Sequence, residues 1–161
     1  MRKEIKMIRN QLNEIIMTAI DKFYQNDFYL LEHDVHEQTI SSTFACYLRD
    51  LFKEKNLQWN IDPEYNRNGE NPKRLTGIGN VRPDIIIHLR GLNNDRGTEQ
   101  NNLLVIEMKK DPTDKKIAID MKKIQAFIEE PPFSYCYGLF IGLMRNRVNN
   151  RYVWSMRDGQ H

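Results

Sequence analysis

Two short apolar runs, Val81-Arg82-Pro83-Asp84-Ile85-Ile86-Ile87-His88 and Leu103-Leu104-Val105-Ile106-Glu107-Met108-Lys109, decide how this chain folds. A polar stretch from Asn93 to Asn102 separates them, so the pair reads as a β-hairpin. Charged residues inside apolar strands are costly unless they are paired or bound to an ion, so Asp84, Glu107 and Lys109 require an explanation. Strand alternation puts Glu107 and Lys109 on one face and Met108 on the other, and Lys110 therefore does not substitute for Lys109. Hairpin pairing can bring Asp84 beside Glu107.

Two carboxylates at that spacing repel unless one is protonated or a cation lies between them, and a hard divalent ion meets the need. Magnesium favours oxygen ligands, keeps several waters and takes one or two carboxylates plus phosphate oxygens, which matches this small acidic set. The competing reading is an ion pair that closes a strand end, Lys109 with Glu107 or Asp84.

Upstream of the hairpin, Ile5, Ile8, Leu12, Ile15, Ile16, Ala19, Ile20 and Phe23 recur at helical spacing and predict one amphipathic helix over about Lys3 to Gln25. Its three-four alternation would also suit a short seam between two copies in a homodimer. A second helix is expected from Asp34, as N-cap, to about Lys55, with Ile40, Phe44, Leu48, Leu51 and Phe52 inward. Leu57 to Tyr65 reads as a first strand, and Asn66 to Asn80 as an exposed loop. Downstream, Pro112-Thr113-Asp114 is a helix start, Ile117, Met121, Ile124 and Ile128 mark a buried face, and Pro131-Pro132 ends the helix. Tyr135 to Met144 is a nearly continuous apolar strand, and Arg151 to Met156 a last one. The order argues for an α/β fold with a mixed sheet flanked by helices, the third helix making a right-handed crossover between parallel strands.

With 161 residues the chain suits a single domain over 1–161, residues 1–30 forming an N-terminal helical extension packed on or extending the core. Lys and Arg number 24 against 22 Asp and Glu, so a net charge of +2 advertises no nucleic-acid partner by itself, and any basic surface must be local. Cys46 and Cys136 are too few for a disulfide framework and are expected to be buried thiols, pointing to a reducing compartment. With no membrane-length apolar run and a charged N-terminus, the sequence reads as cytoplasmic, with no membrane partner.

The Arg82-Pro83-Asp84 segment, the Glu107-x-Lys109 triplet and an acidic residue on the preceding helix resemble the PD-(D/E)xK nuclease superfamily. The similarity covers about Asp34 to Leu143 and is close to small bacterial and phage members with a strand-end Glu64-Tyr65-Asn66-Arg67 and a following Lys73. It implies a restriction-endonuclease-like αβββαβ core with an extra N-terminal helix, and a Mg2+- or Mn2+-dependent nuclease that hydrolyses phosphodiester bonds, of DNA, through a metal-activated water. By the same resemblance Asp84, Glu107 and the Met108 backbone carbonyl bind the metal, Lys109 orients or activates the attacking water, and Glu37 matches the helical glutamate. Asp34-Val35-His36-Glu37 also has capping-box spacing, which gives Glu37 a purely local alternative. Glu32 and Glu64 are lower-ranked substitutes for it.

Arg67, Lys73, Arg74 and Arg82 crowd the loop before the Asp84 strand and would form a positive rim for phosphates; the alternative is a solvated loop. Tyr65 and Trp59 could stack on bases, though strand aromatics are more often core. Lys122, Lys123 and Gln125 would lie on the third helix, where a solvated face is the plainer reading, and His88 reads as a packed or rim histidine. His33 and His36 are too near a helix start to define a metal site. The chain carries no appended recognition domain, so structural recognition or a partner protein would select the target. The rival function is a catalytically inactive nucleic-acid-binding or protein-interaction module with the same fold.

Overall fold

The run ending in Glu107-Met108-Lys109 becomes the central and longest strand of a five-stranded mixed sheet, since its alternate side chains are buried on both faces. The structure is a computed structural model and describes residues 2–64, 67–68, 71–90, 101–131 and 133–157, with no account of side chains at 2–7, 67–68 and 71–72. Its elements are α1 (Arg2–Asn26), α2 (Tyr29–Glu32), α3 (Glu37–Glu54), β1 (Asn60–Pro63), β2 (Arg67–Asn68), β3 (Asn71–Pro72), β4 (Arg74–Leu75), β5 (Gly79–Asn80), β6 (Ile85–His88), β7 (Asn102–Lys110), α4 (Asp114–Glu129), β8 (Tyr137–Leu143) and β9 (Arg151–Met156).

The sheet order is β1-β6-β7-β8-β9. The expected hairpin is present: β6 and β7 pair antiparallel with Ile85 opposite Ile106 and Ile87 opposite Leu104, and residues 91–100 of its connection lie outside the described residues. β7 and β8 are parallel, so α4 is the crossover between them. Thr113 caps α4, its side chain accepting from Lys116 N–H at 3.3 Å.

Alternation divides the core. Ile85, Ile87, Leu104, Ile106 and Met108 face α1 and α3, whereas Ile86 and Val105 face α4 with Ile124, Phe127 and Ile128. Glu107 and Lys109 continue the Val105 row on the α4 side. Leu12, Ile15, Ile16, Ala19, Ile20 and Phe23 of α1 are buried against this chain's own core, and Tyr24 Oη lies 2.6 Å from the Met144 carbonyl. The stripe that would suit a dimer seam is therefore consumed within the fold from Leu12 onward.

Several expectations are corrected. α3 begins at Glu37, not Asp34: His36 is extended at the N-cap position and makes no side-chain cap bond, and a separate turn, α2, precedes it to bury Leu31. β1 is only Asn60–Pro63, because Glu64, whose N–H still donates to the Asp84 carbonyl at 2.9 Å, turns to a φ of 51° and leads the chain away. The segment read as an exposed loop forms two small antiparallel ladders, β2–β3 and β4–β5, and buries Leu75. Cys46 is exposed on the outer side of α3, with Phe44, Ala45 and Leu48 facing in, and Cys136 is half-buried, so Cys46 is not a core thiol. Among the described residues no helix is long and apolar enough to cross a membrane.

Candidate functional site

The cleft lies where β6 begins and β7 ends. Asp84 immediately precedes β6, and carrying the Ile85–Ile106 register one residue further sets it level with Glu107. Asp84 Oδ2 accepts the Met108 N–H at 2.7 Å. The N–H and C=O of one strand residue point to the same edge, so the Met108 carbonyl faces the Asp84 edge as well, beyond the last rung of β6.

Glu107 is 1% exposed, and its Oε1 has no hydrogen-bond partner; Lys123 Nζ of α4 lies 2.9 Å away, at ion-pair distance but outside hydrogen-bonding geometry. Burial first, then the Asp84 charge, push the Glu107 carboxyl well above the usual carboxylate range against the opposing pull of Lys123. Lys109 Nζ donates to Glu37 Oε2 at 2.9 Å. Burial opposes the Lys109 ammonium, but the bond and charge of Glu37, with Asp120 and Asp84, outweigh it and raise its pKa above the ordinary lysine value. Lys109 is thus held as a cation, suited to orienting and stabilising negative oxygen rather than to taking a proton.

The structure therefore brings Glu37, Asp84, Glu107 and Lys109 together, and it adds two residues from α4. The sequence places Lys123 on a solvated face and assigns Asp120 no role. Asp120 is 6% exposed, and its Oδ2 has no hydrogen-bond partner. Burial raises its pKa, Lys109 and Lys123 counter, and Asp84 and Glu37 add to the rise. A signal for both was present: Asp120 stands three residues after Ile117 and four before Ile124, on the buried stripe, and Lys123 is one turn further.

The cluster holds four carboxylates, Glu37, Asp84, Glu107 and Asp120, against two ammonium groups, Lys109 and Lys123, an excess of two negative charges when all are ionised. A buried Asp120 oxygen lacking a donor, a buried Glu107 carboxylate with only the Lys123 ammonium beside it, and an all-oxygen donor set fit a hard divalent ion. Among the described residues no three His, Cys, Asp or Glu side chains converge on one ion position. Asp84, Glu107 and the Met108 carbonyl are the oxygens that could hold such an ion, whose remaining positions would go to water and phosphate oxygens.

The other expected residues are dispersed. Lys73 is not on a basic rim: it is 4% exposed, with Nζ 5.2 Å from the Phe133 ring centre and 5.9 Å from that of Tyr135, and burial lowers its pKa to about 8. Arg74 and Arg82 are exposed, Arg82 reaching Glu64 Oε1 at 3.8 Å; the Arg67 side chain and all of Tyr65 lie outside the described residues. Trp59 is half-buried against the core. Glu64 accepts from Gln38 Nε2, and Glu32 is exposed, its backbone carbonyl accepting from Arg145. Gln125 turns to Glu129 and to Ser155 Oγ, and Lys122 faces outward. His88 is buried at the other end of β6, bonded to Asp62 at 2.6 Å. No protein-family model, no curated protein and no solved structure matches this chain.

Proposed function

We propose that the chain is a metal-dependent nuclease of restriction-endonuclease-like fold that hydrolyses phosphodiester bonds in DNA. The observation that carries this reading is Glu107, a carboxylate buried at 1% exposure with only the Lys123 ammonium beside it, level with Asp84 and two residues before a cationic Lys109. The succession α3, β1, β6, β7, α4, β8, with an antiparallel meander and then a parallel strand beside β7, supports it. Asp84, Glu107 and the Met108 carbonyl would hold Mg2+ or Mn2+, which when bound supplies a Lewis acid for the phosphate and lowers the pKa of water. Lys109, its ammonium fixed by Glu37 at 2.9 Å, orients the nucleophile and stabilises charge developing on phosphate oxygens. Exposed Arg74 and Arg82 lie on the approach to the Asp84 strand and suit backbone phosphates.

The test is Mn2+-dependent cleavage of a panel of linear, nicked, single-stranded and four-way DNA by purified wild type, Glu107→Gln and Lys109→Met. Both variants should lose roughly 100-fold or more in rate while folding normally. Unchanged cutting by either would overturn the assignment. One observation favours a second reading, a binding module without catalysis: both lysines are engaged by carboxylates, Lys109 with Glu37 and Lys123 with Glu107. DNA binding retained in chelator, together with no Mn2+ binding by calorimetry, would select that module.

A further inference from the structure

Asp120 is the cluster's unexplained member. Its carboxylate is desolvated on the buried stripe of α4, yet Oδ2 has no hydrogen-bond partner, an arrangement that costs folding stability. Lys123, one turn along the same helix, directs its ammonium to Glu107 at 2.9 Å and makes no hydrogen bond to Asp120 Oδ2. The charges that act on Asp120 are Lys109, Lys123, Asp84 and Glu37, so it faces the cleft and not the apolar α4–sheet core. With every group ionised, the cluster carries one excess negative charge without Asp120 and two with it, the complement of a divalent ion.

We infer that Asp120 is a third carboxylate of the divalent-ion site, accepting hydrogen bonds from the ion's water shell on the α4 side while Asp84 and Glu107 hold the ion from the strands. The inference rests on reading the cleft as a metal centre. An indirect position agrees with the described residues, among which no three such side chains converge on one ion. It suits a hard ion such as Mg2+ or Mn2+ that keeps several of its waters. Carboxylates at one remove from a metal orient what the ion binds, and their loss weakens metal affinity by about 10- to 100-fold.

The experiment is calorimetric titration of the chelator-stripped full chain with Mn2+ alone, for wild type, Asp120→Asn, Asp120→Ser and Glu107→Gln, beside thermal unfolding of each in chelator. Asp120→Asn should bind Mn2+ about 10-fold more weakly, and its Tm in chelator should rise because an uncharged amide replaces an unpartnered carboxylate. Glu107→Gln should lose binding. Asp120→Ser supplies a second test of affinity should the amide disturb packing. If wild type and both Asp120 variants bind Mn2+ equally while Glu107→Gln does not, this inference falls and the metal-centre reading stands. If wild type itself binds no Mn2+, both fall.

Discussion

Gly138 of β8 sets the distance between the sheet and the helix that carries Asp120 and Lys123. A Cβ built there would lie 3.0 Å from Ile128 Cδ1 and deeper still inside contact with Ile124 Cγ2, against an ordinary carbon–carbon contact of about 3.5–4.0 Å. Ile124 and Ile128 are both fully buried, so neither can swing aside, and α4 must move off the sheet. Gly138→Ala should cost about 2 kcal/mol, in the middle of the range for overpacking. In a chain of this length that lowers Tm by about 4–8 °C. Ile124→Ala removes the obstructing methyl, and alone costs about 2–5 kcal/mol through the cavity it leaves. The double variant should be less destabilised than the sum of the two by about 1 kcal/mol or more, because each change accommodates the other. Denaturant unfolding of the four proteins measures this coupling. Additivity, or a Gly138→Ala Tm equal to that of wild type, would refute the packing argument. Because the same helix carries Asp120 to the cleft, moving it off the sheet should also weaken Mn2+ binding.

Two other outcomes are open to measurement. Burial lowers the Lys73 pKa from 10.5 to about 8, so between those values the unfolded chain binds more protons and stability rises with pH, by on the order of 1–3 kcal/mol, the deficit being fully present below pH 8. Lys73→Met should be more stable at pH 7 and lose that rise; a wild-type stability flat from pH 8 to 10.5 contradicts it. Asp62, buried and bonded to His88 at 2.6 Å and to Arg90 Nε at 2.7 Å, anchors the opposite end of β6, so Asp62→Ala should cost about 3 kcal/mol in unfolding experiments yet leave Mn2+ affinity unchanged. A drop in Mn2+ affinity would show that the two ends of the strand are not independent.

The sheet's centre was legible because its rules are local. Ile85 to Ile87 and Leu103 to Ile106 are apolar on both faces, as strands of a covered sheet must be, and Pro112-Thr113-Asp114 names a helix start in three residues. Juxtaposition of Asp84 with Glu107 followed from the same hairpin. What was hidden depends on contacts distant in sequence. The spacing Asp34-x-x-Glu37 suits a cap equally well, and only Lys109, 72 residues away, draws Glu37 elsewhere. Lys73 among glycines and arginines reads as surface until Phe133 and Tyr135 are folded over it. Asp120, set among Lys115, Lys116, Lys122 and Lys123, resembles a solvated face although its position on the stripe is inward. Cys46 marks the opposite failure, an apolar neighbourhood in sequence that proves to be the outside of a helix.

The bond from Met108 N–H to Asp84 Oδ2 makes a side chain stand in for the carbonyl that a longer β6 would have offered. Asp84 is in that respect a rung of the sheet, and its removal would unfasten the central strand at the point where Glu107 and Lys109 emerge. Asp84→Ala therefore confounds loss of the proposed ligand with fraying of the scaffold, whereas asparagine keeps an oxygen to receive the amide. Among the described residues Lys109 makes no bond within the sheet through its side chain, only the 2.9 Å pair to Glu37 of α3, so its substitution leaves the central strand fastened.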